Sequence, residues 1–536
     1  MGGTPIFILS EGTKRERGEE AQKRNIAAAE AIADAVRTTL GPKGMDKMLV
    51  DSMGDVTITN DGASILKDLD IEHPAAKMMV EIAETQDEEC GDGTTSAVIL
   101  AGELLKNAED MIGRLHSSTI ANGYKLASEK AIDILEELKQ EIDIEDERIL
   151  KNIASTAMTG KSIEVNKEHL ADLAVAAVKH IVEKTDEGYE ADIDNIKIVK
   201  KAGASADKTE LIRGIVLDKQ RVHDSMPKEI KNAKIALLNT SLEIKKTETK
   251  TSIEITSPDQ LQKFIDEEEE SIKRMVEQIK DSGANVLLCQ KDIDDLAQYY
   301  LAKEGILAVE SISKSDMKKL AKATGGHVVN NLSDLEKEDL GKAGIVHEKT
   351  ISGDHMVFIE DTKEPRAVSV LLRGGTDHIV DEIDRAIHDA LKVVSVAIED
   401  GAILPGGGAT EIELSNRIKE FAGTVKGREQ LAAEAFAESF TIIPRTIAEN
   451  AGIDGIDILM DLNAVHERDG LKNHGINLDS GDTEDMVEAG IIEPFRVKKQ
   501  AIISAREAAN MILRIDDVIA SKGFVQKEEE DEEDLY

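Results

Sequence analysis

The chain has no tryptophan, and aromatic residues make up only 2% of its 536 positions. A core for a protein of this size cannot then rest on rings. It has to be assembled from Ala, Ile, Val, Leu and Met, mostly on helices. There are only two cysteines, Cys90 and Cys289, far apart in sequence. Two such thiols exclude a disulfide framework and a cysteine-based zinc site, and a reducing, cytoplasmic compartment is expected. No stretch is long and apolar enough to cross a bilayer. The opening MGGTPIFILSEGTKRERGEE lacks the long apolar segment of a secretory leader, so none is expected. Basic residues are few: 66 Lys and Arg stand against 106 Asp and Glu, a formal net charge of −40. Of that, the run 527–536 (KEEEDEEDLY), with seven acids and one base, contributes −6 and reads as a disordered tail. The remaining −34 repels phosphate backbones and anionic lipid, so neither nucleic acid nor a membrane is expected as a partner. Histidines form no HExxH pattern, and no Ser/His/Asp arrangement stands out.

What is present suits a soluble globular chain, with 41% hydrophobic and 32% charged residues. At ~150 residues per domain the length predicts three or four domains. Residues 21–40 predict a helix, with Ile26, Ala29, Ala33, Val36 and Leu40 on one stripe and Gly41-Pro42 as its stop. Residues 55–60 (DVTITN) alternate like a strand that turns at Asn60-Asp61-Gly62. In the middle, the short apolar runs 234–238 (KIALL), 284–288 (ANVLL) and 305–309 (GILAV) alternate with helical stretches, which predicts a separate α/β domain. A further strand is expected over 368–373 (VSVLLR), then a long helix over 377–398. Between about 241 and 280 lies an insertion, whose Ser257-Pro258-Asp259-Gln260 reads as a capping box with Pro at the first helical position. Its helix carries apolar Leu261, Phe264, Ile265, Met275 and Val276, a set that one chain is poorly placed to bury.

Gly91-Asp92-Gly93-Thr94-Thr95 is the strongest local signal. Its glycines permit close approach of backbone to a ligand. The helix that follows directs unpaired N–H groups and a positive dipole end at the same place, and Thr94, Thr95 and Ser96 add hydroxyls. Asp92 stands where a hard cation such as Mg²⁺ would bridge to phosphate. Read alone, the five residues fit a phosphate loop and an ordinary capped helix about equally. Gly41-Pro42-Lys43-Gly44 fits a second phosphate loop or a helix stop; Gly406-Gly407-Gly408 permits close approach but is common in loops. The segment 155–162 (STAMTGKS) approaches a P-loop, yet position 155 is Ser where that motif needs Gly, and the residues before it look helical. Lys161 is then either a phosphate contact or a solvated loop lysine. Asp389 lies on the polar side of the 377–398 helix near Arg385 and Lys392, as an ordinary surface acid would.

Together, TPIFILSEGTKRERGEEAQKRNI, TLGPKGMDKML, TITNDGASIL, GDGTTSAVILAGELL, LLRGG, HDAL, LPGGGATE, NAGIDGID, AGIIEPFRVK and ILRIDDVI resemble the group II chaperonins, above all the archaeal thermosome, from end to end and in order. The eukaryotic cytosolic chaperonin is a more distant likeness. The resemblance implies a multidomain α/β fold. A mostly helical equatorial ATPase domain would come from 1–146 and 404–526. An intermediate hinge domain would come from 147–215 and 368–403, and an α/β apical domain from 216–367. The 241–280 insertion would be a helical protrusion serving as a built-in lid.

The resemblance also implies ATP and Mg²⁺ as cofactors. It assigns Leu40, Gly41, Pro42, Gly93, Thr94, Thr95 and Ser96 to the phosphates and Asp92 to magnesium. Asp61 would orient the attacking water and Asp389 polarise it. Gly160 and Lys161 would sense the γ-phosphate. Gly407, Gly408, Gly475, Asn477, Glu493 and Lys498 would line the nucleoside side, with Glu493 accepting from ribose. Non-native proteins would be the clients, inside two stacked rings of this subunit, alone or together with sister subunits. One departure is visible: the family's usual His-Pro-Thr is His116-Ser117-Ser118 here, which predicts a less rigid backbone at that point. Two other classes stay open on the residues alone, a P-loop NTPase and a non-hydrolysing ring scaffold or holdase.

Overall fold

The computed structural model describes residues 14–50, 53–54, 56–160, 166–186, 188–244, 258–363, 366–468 and 470–520. They form two compact units. One is built from both ends of the chain, Met1–Glu141 with Ala402–Tyr536, and the other from Ile142–Gly401.

The first unit opens with strand β1 (Lys14–Arg17), helix α1 (Glu19–Arg37) and a hairpin of β2 (Lys47–Val50) and β3 (Val56–Thr59). Helices α2 (Gly62–Asp68), α3 (Pro74–Cys90), α4 (Thr94–Glu109) and α5 (Ser117–Leu138) follow, then β4 (Gln140–Glu141). The expected stripe on α1 is buried through Val36, but the helix stops at Arg37 instead of running to Leu40. Thr39 turns its hydroxyl back to the Val36 carbonyl at 2.8 Å, and Leu40 becomes part of the turn. At α5 the proline-free start is held by its own side chain. His116 Nδ1 accepts from the Ser118 N–H at 3.2 Å, the same cap that His73 makes at α3 ahead of Pro74.

The second unit begins with α6 (Glu147–Ala157), α7 (Lys167–Ile181) and the β5 (Glu183–Thr185) and β6 (Gly188–Glu190) hairpin. Strands β7 (Ile196–Ala202), β8 (Glu210–Ile212), β9 (Gly214–Leu217) and β10 (Glu229–Leu238) come next. Helix α8 (Pro258–Ser282), β11 (Val286–Cys289), α9 (Asp295–Lys303), β12 (Leu307–Val309), α10 (Lys314–Thr324) and β13 (Val328–Val329) alternate after them. The unit closes with β14 (Gly341–Ile351), β15 (Asp354–Glu360), β16 (Val368–Gly374) and α11 (Asp377–Asp400). Its larger sheet runs β12-β11-β10-β14-β15-β9, with β13 beside β10. The β10, β11 and β12 strands are parallel, and period-two alternation divides their side chains between two cores. Ile235 and Leu237 join Met317 and Leu320 of α10 on one face; Ala236 and Leu238 join α8 and α9 on the other. A three-stranded sheet, β7-β16-β8, packs on α7 and α11 and shares a small core with β9 and β15.

The long insertion helix divides along its length. Ile272, Val276 and Ile279 are buried in the α/β core and Met275 packs against it, so this half is an integral layer of the sheet domain. The expectation of an unburied Met275 and Val276 is corrected by that packing. Phe264 and Ile265, a turn and more upstream, are exposed, at 40% and 46%. The expected cap at Ser257 and the side chain of Leu261 lie outside the described residues.

The chain then returns to the first unit with β17 (Ala402–Pro405), α12 (Ala409–Ala422), α13 (Glu429–Ser439), α14 (Ile442–Asn450) and α15 (Gly455–His466). The last elements are β18 (His474–Ile476), β19 (Thr483–Asp485), α16 (Met486–Ala489), β20 (Ile492–Pro494), α17 (Phe495–Leu513) and β21 (Asp517–Ala520). β21 pairs antiparallel with β1. α17 packs against α3, α4 and α5, and α4 also packs on α1. The core is aliphatic, as the composition requires. Three of its rings, Tyr124, Phe436 and Phe440, meet at 5.4–5.5 Å between centroids. The α1–α4 contact is close because it is made by small residues: a Cβ added at Gly102 would lie 2.4 Å from the Ala33 Cβ. Gly102→Ala would gain up to ~1 kcal/mol of helix propensity. Overpacking against a rigid helix costs about 1–3 kcal/mol and should win. The variant is therefore expected to unfold at lower urea concentration than the parent chain; an unchanged midpoint would show that α1 yields without strain.

Candidate functional site

α3 ends at Gly91, which is left-handed (φ 69°) and donates its N–H to the Asp87 carbonyl at 2.8 Å. Gly93 is also left-handed (φ 78°) and starts α4. A pair of residues free to take positive φ thus brackets Asp92, a turn that side chains at 91 and 93 would strain. The Gly93 N–H donates to Asp92 Oδ1 at 2.7 Å. The N-cap residue of α4, Gly93, has no side chain to cap it, so the N–H groups of Thr94, Thr95 and Ser96 begin the helix without a cap from that position. Gly62 lies against this turn: a Cβ there would be 2.4 Å from Thr95 Oγ1 and 3.3 Å from Thr94 Oγ1. That contact sets Asp61 beside the start of α4. Asp61 itself caps α2, its Oδ2 accepting from the Ser64 N–H at 2.7 Å.

The Leu40-Gly41-Pro42 turn is held from the other end of the chain. Asn450 donates its side-chain amide to the carbonyls of Leu40 at 2.8 Å and Arg37 at 3.1 Å. Gly41 (φ 85°) faces Ile447, and the turn closes with the Gly44 N–H on the Gly41 carbonyl at 2.9 Å.

Gly406-Gly407-Gly408 joins β17 to α12, with no room for side chains. A Cβ on Gly407 would sit 2.5 Å from Met486 Sδ, and one on Gly408 would sit 2.6 Å from Pro444 Cβ. The Ile476 N–H donates to the Gly407 carbonyl at 2.9 Å, so Gly475 is pressed against the same loop. Asn477 spends its side chain inside its own turn, accepting from the Asp479 and Ser480 N–H groups and donating to Glu484 Oε2. Leu404 of β17 pairs with Glu493 of β20, which places Glu493 beside the glycine loop.

A buried ion triad stands there. Lys498 Nζ lies 2.6 Å from Glu411 Oε1 and 2.9 Å from Glu493 Oε2. Burial lowers the proton affinity of Lys498, but the two carboxylates outweigh it and hold the ammonium well above the ordinary lysine range. Burial likewise pushes the Glu493 carboxyl up. Lys498 opposes that shift, and the charges of Glu411 and Asp92 add to it. The influence of Asp92 on Glu493 is the electrostatic sign that the 91–95 turn and the 406–408 loop belong to one neighbourhood.

The structure therefore brings Leu40, Gly41, Pro42, Asp61, Asp92, Gly93, Thr94, Thr95, Ser96, Gly407, Gly408, Gly475, Asn477, Glu493 and Lys498 into the first unit. Gly160 and Asp389 belong to the second. Gly160 (φ 84°) follows α6, and Asp389 is half-buried on α11, against which α6 packs. Lys161 lies outside the described residues. Among the described residues no group of three or more His, Cys, Asp or Glu is arranged to hold a metal ion, and no helix is long and apolar enough to cross a membrane. A magnesium ion carried mainly by nucleotide phosphates needs only one or two carboxylates from the protein, and Asp92 fits that donor set.

A family model described as the TCP-1/cpn60 chaperonin family matches residues 32–523. The chain belongs to that family. Among relatives of this chaperonin, the thermosome subunit of Methanopyrus kandleri is 57% identical over 97% of this chain and 95% of its own. Thermosome subunits alpha and beta of Archaeoglobus fulgidus are 55% and 57% identical, each covering 98% of this chain and 96% of the relative. An open-state monomer of a group II chaperonin from Methanococcoides burtonii, solved as a structure, is 46% identical. It matches with a TM-score of 0.60 over 79% of this chain and all of that one. The fold is thus the multidomain α/β fold of a group II chaperonin.

Three residues of this chaperonin were not singled out from sequence. Asn450 and Glu411 lie inside the quoted motifs NAGIDGID and LPGGGATE, where a buried polar role for each was the available signal. Gln86 gave none, because an amide on a helix ordinarily reads as a surface residue.

Lys498→Met leaves Glu411 and Glu493 buried without their cation. Breaking such a buried pair from one side costs about 3–5 kcal/mol. The Glu493 carboxyl has raised proton affinity when folded, so its protonation stabilises the fold below its unfolded range and that support is lost as pH rises through the folded value. The variant should therefore be most destabilised at neutral pH and recover part of its deficit towards pH 5. A deficit independent of pH in urea unfolding would dismiss the triad as its cause.

Proposed function

We propose that this chaperonin subunit hydrolyses ATP, and that hydrolysis drives closure of a built-in lid over non-native protein in a double-ring chamber. The observation that carries the reading is the convergence in one unit of the glycine-bracketed Asp92 turn, the start of α4 and the 406–408 loop with Glu493, from opposite ends of the chain.

On this reading the start of α4 and the hydroxyls of Thr94, Thr95 and Ser96 donate to phosphate oxygens, with the Leu40-Gly41-Pro42 turn alongside. Magnesium held by Asp92 would supply charge neutralisation on the phosphates. Asp61 orients the attacking water, a role it would share with its capping of α2, and the family resemblance assigns the polarising of that water to Asp389. Gly160 and Lys161 are assigned the γ-phosphate on the same ground. Gly407, Gly408, Gly475 and Asn477 line the nucleoside side, Glu493 accepts from the ribose and Lys498 holds Glu493 in place. The first unit would be the equatorial domain, and the three-stranded and seven-stranded sheets of the second would mark the intermediate and apical domains. Subunits would assemble as two stacked rings in the cytoplasm, possible sister subunits included, as the paired alpha and beta relatives suggest.

A P-loop reading loses its support, because Ser155–Ala157 lie inside α6 and not in a strand-to-helix loop. The scaffold or holdase reading is separated by experiment. A size measurement combined with phosphate release on the assembled protein should give a ring that turns over ATP; a ring without turnover would favour the scaffold.

Asp389→Ala should retain ATP binding and lose ~10²-fold or more of hydrolysis, the usual scale for a positioned proton-transfer group. Near-normal turnover would remove Asp389 from the mechanism. For the lid, the exposed pair Phe264 and Ile265 supplies an apolar contact that closure would cover. Protease cleavage in 258–270 should slow when ADP with aluminium fluoride is added, and equal rates in both states would rule out closure over this segment.

A further inference from the structure

Gln86 is fully buried in α3, one turn before the Asp92 loop, on a face otherwise made of Ala75, Ala76, Met79, Ile82, Ala83 and Cys90. Both hydrogens of its amide are used. Nε2 donates to the Asp92 carbonyl at 2.9 Å and to the Val497 carbonyl at 3.1 Å. Its Oε1 is buried with no partner among the described residues. Packing alone does not explain that arrangement: Met or Leu would fill the same volume without an orphaned oxygen. We propose that Gln86 is a positioning residue for magnesium, fixing the main chain of Asp92 against the first turn of α17.

The inference rests on the reading of Asp92 as the metal ligand and adds how its geometry is set. Asp92 sits between two left-handed glycines, so its backbone has more freedom than an ordinary turn allows. One side of that turn is already closed, since a Cβ on Gly93 would lie 2.8 Å from Val497 Cγ1 and 3.0 Å from Gln86 Nε2. The Gln86 amide closes the remaining freedom by anchoring the carbonyl of Asp92 itself. The anchor is shared with Val497, next to Lys498, whose ammonium holds Glu493. A single side chain therefore ties the main chain at the metal end of the site to the helix that carries Lys498 at its nucleoside end.

The test uses the full-length assembled protein, a non-hydrolysable ATP analogue and a Mg²⁺ titration read by calorimetry. Gln86→Met keeps the volume and removes both donors. It should need roughly tenfold more Mg²⁺ for half-saturation, the lower end of the effect of losing a group that orients a metal ligand. Binding of the analogue in EDTA should stay near that of the parent. Phe436→Leu, a core change in the same unit, is expected to lower thermal stability without moving the Mg²⁺ requirement. An unshifted requirement in Gln86→Met overturns the proposal, and so does an equal shift in Phe436→Leu. Asp92→Asn is measured alongside. If it shifts the requirement and Gln86→Met does not, this inference alone fails; if Asp92→Asn shifts nothing, the metal assignment falls and takes the inference with it. Should Gln86→Met not assemble, Gln86→Asn keeps the amide but shortens its reach, and the same shift is expected in it.

Discussion

The packing of α17 on α3 and α4 joins sequence positions some four hundred residues apart, and the Asp92 end of the candidate site is built along that join. Gly93 touches Val497, Gln86 bonds across to it, and Lys498 reaches Glu493 and Glu411 from the next position. The same logic repeats at Leu40, whose carbonyl is held by Asn450, and at Gly408, which rests on Pro444. Each loop is shaped locally by its glycines. The places of the Leu40 turn and the Asp92 turn are set by partners from the opposite end of the chain, and that of the 406–408 loop by Pro444, Ile476 and Met486 from its own end.

This explains what could be seen in the sequence and what could not. The helices of α1 and α11 and the strands of β10, β11, β12 and β16 follow from apolar periodicity, because each buries one stripe or both faces. Boundaries moved where tertiary partners intervened. β10 begins at Glu229, five residues before its apolar run, because β14 pairs with that polar stretch. The β14–β15 hairpin itself escaped notice, its Gly341–Ile351 strand being too polar to stand out. At the site, Asp92 and its glycines announced themselves through local conformation. Glu411, Asn450 and Gln86 did not, because their roles depend on burial beside residues far away in sequence.

The acidic composition has a counterpart inside. A chain of net charge −40 places two carboxylates around one ammonium in its first unit, and Asp92 adds its own field to Glu493. Such a neighbourhood repels a bare polyphosphate. Charge balance at the phosphate end would then fall to the start of α4 and to the divalent cation that accompanies the nucleotide. On the proposed reading, a requirement for metal would follow from the electrostatics as well as from the single carboxylate of Asp92.

The antiparallel pairing of β1 with β21 has a consequence for how the molecule comes into being. On the ribosome, α1, α3 and α4 emerge early, carrying alanine-rich and isoleucine-rich faces whose cover is α17. At 5–20 residues per second, α17 follows α4 by roughly 20–80 s. Within that interval the second unit, which is contiguous in sequence, is completed at Gly401 and can fold before α17 appears, while the first remains an open half-core. A protein whose family attends to incompletely folded chains therefore spends its own synthesis as one of them.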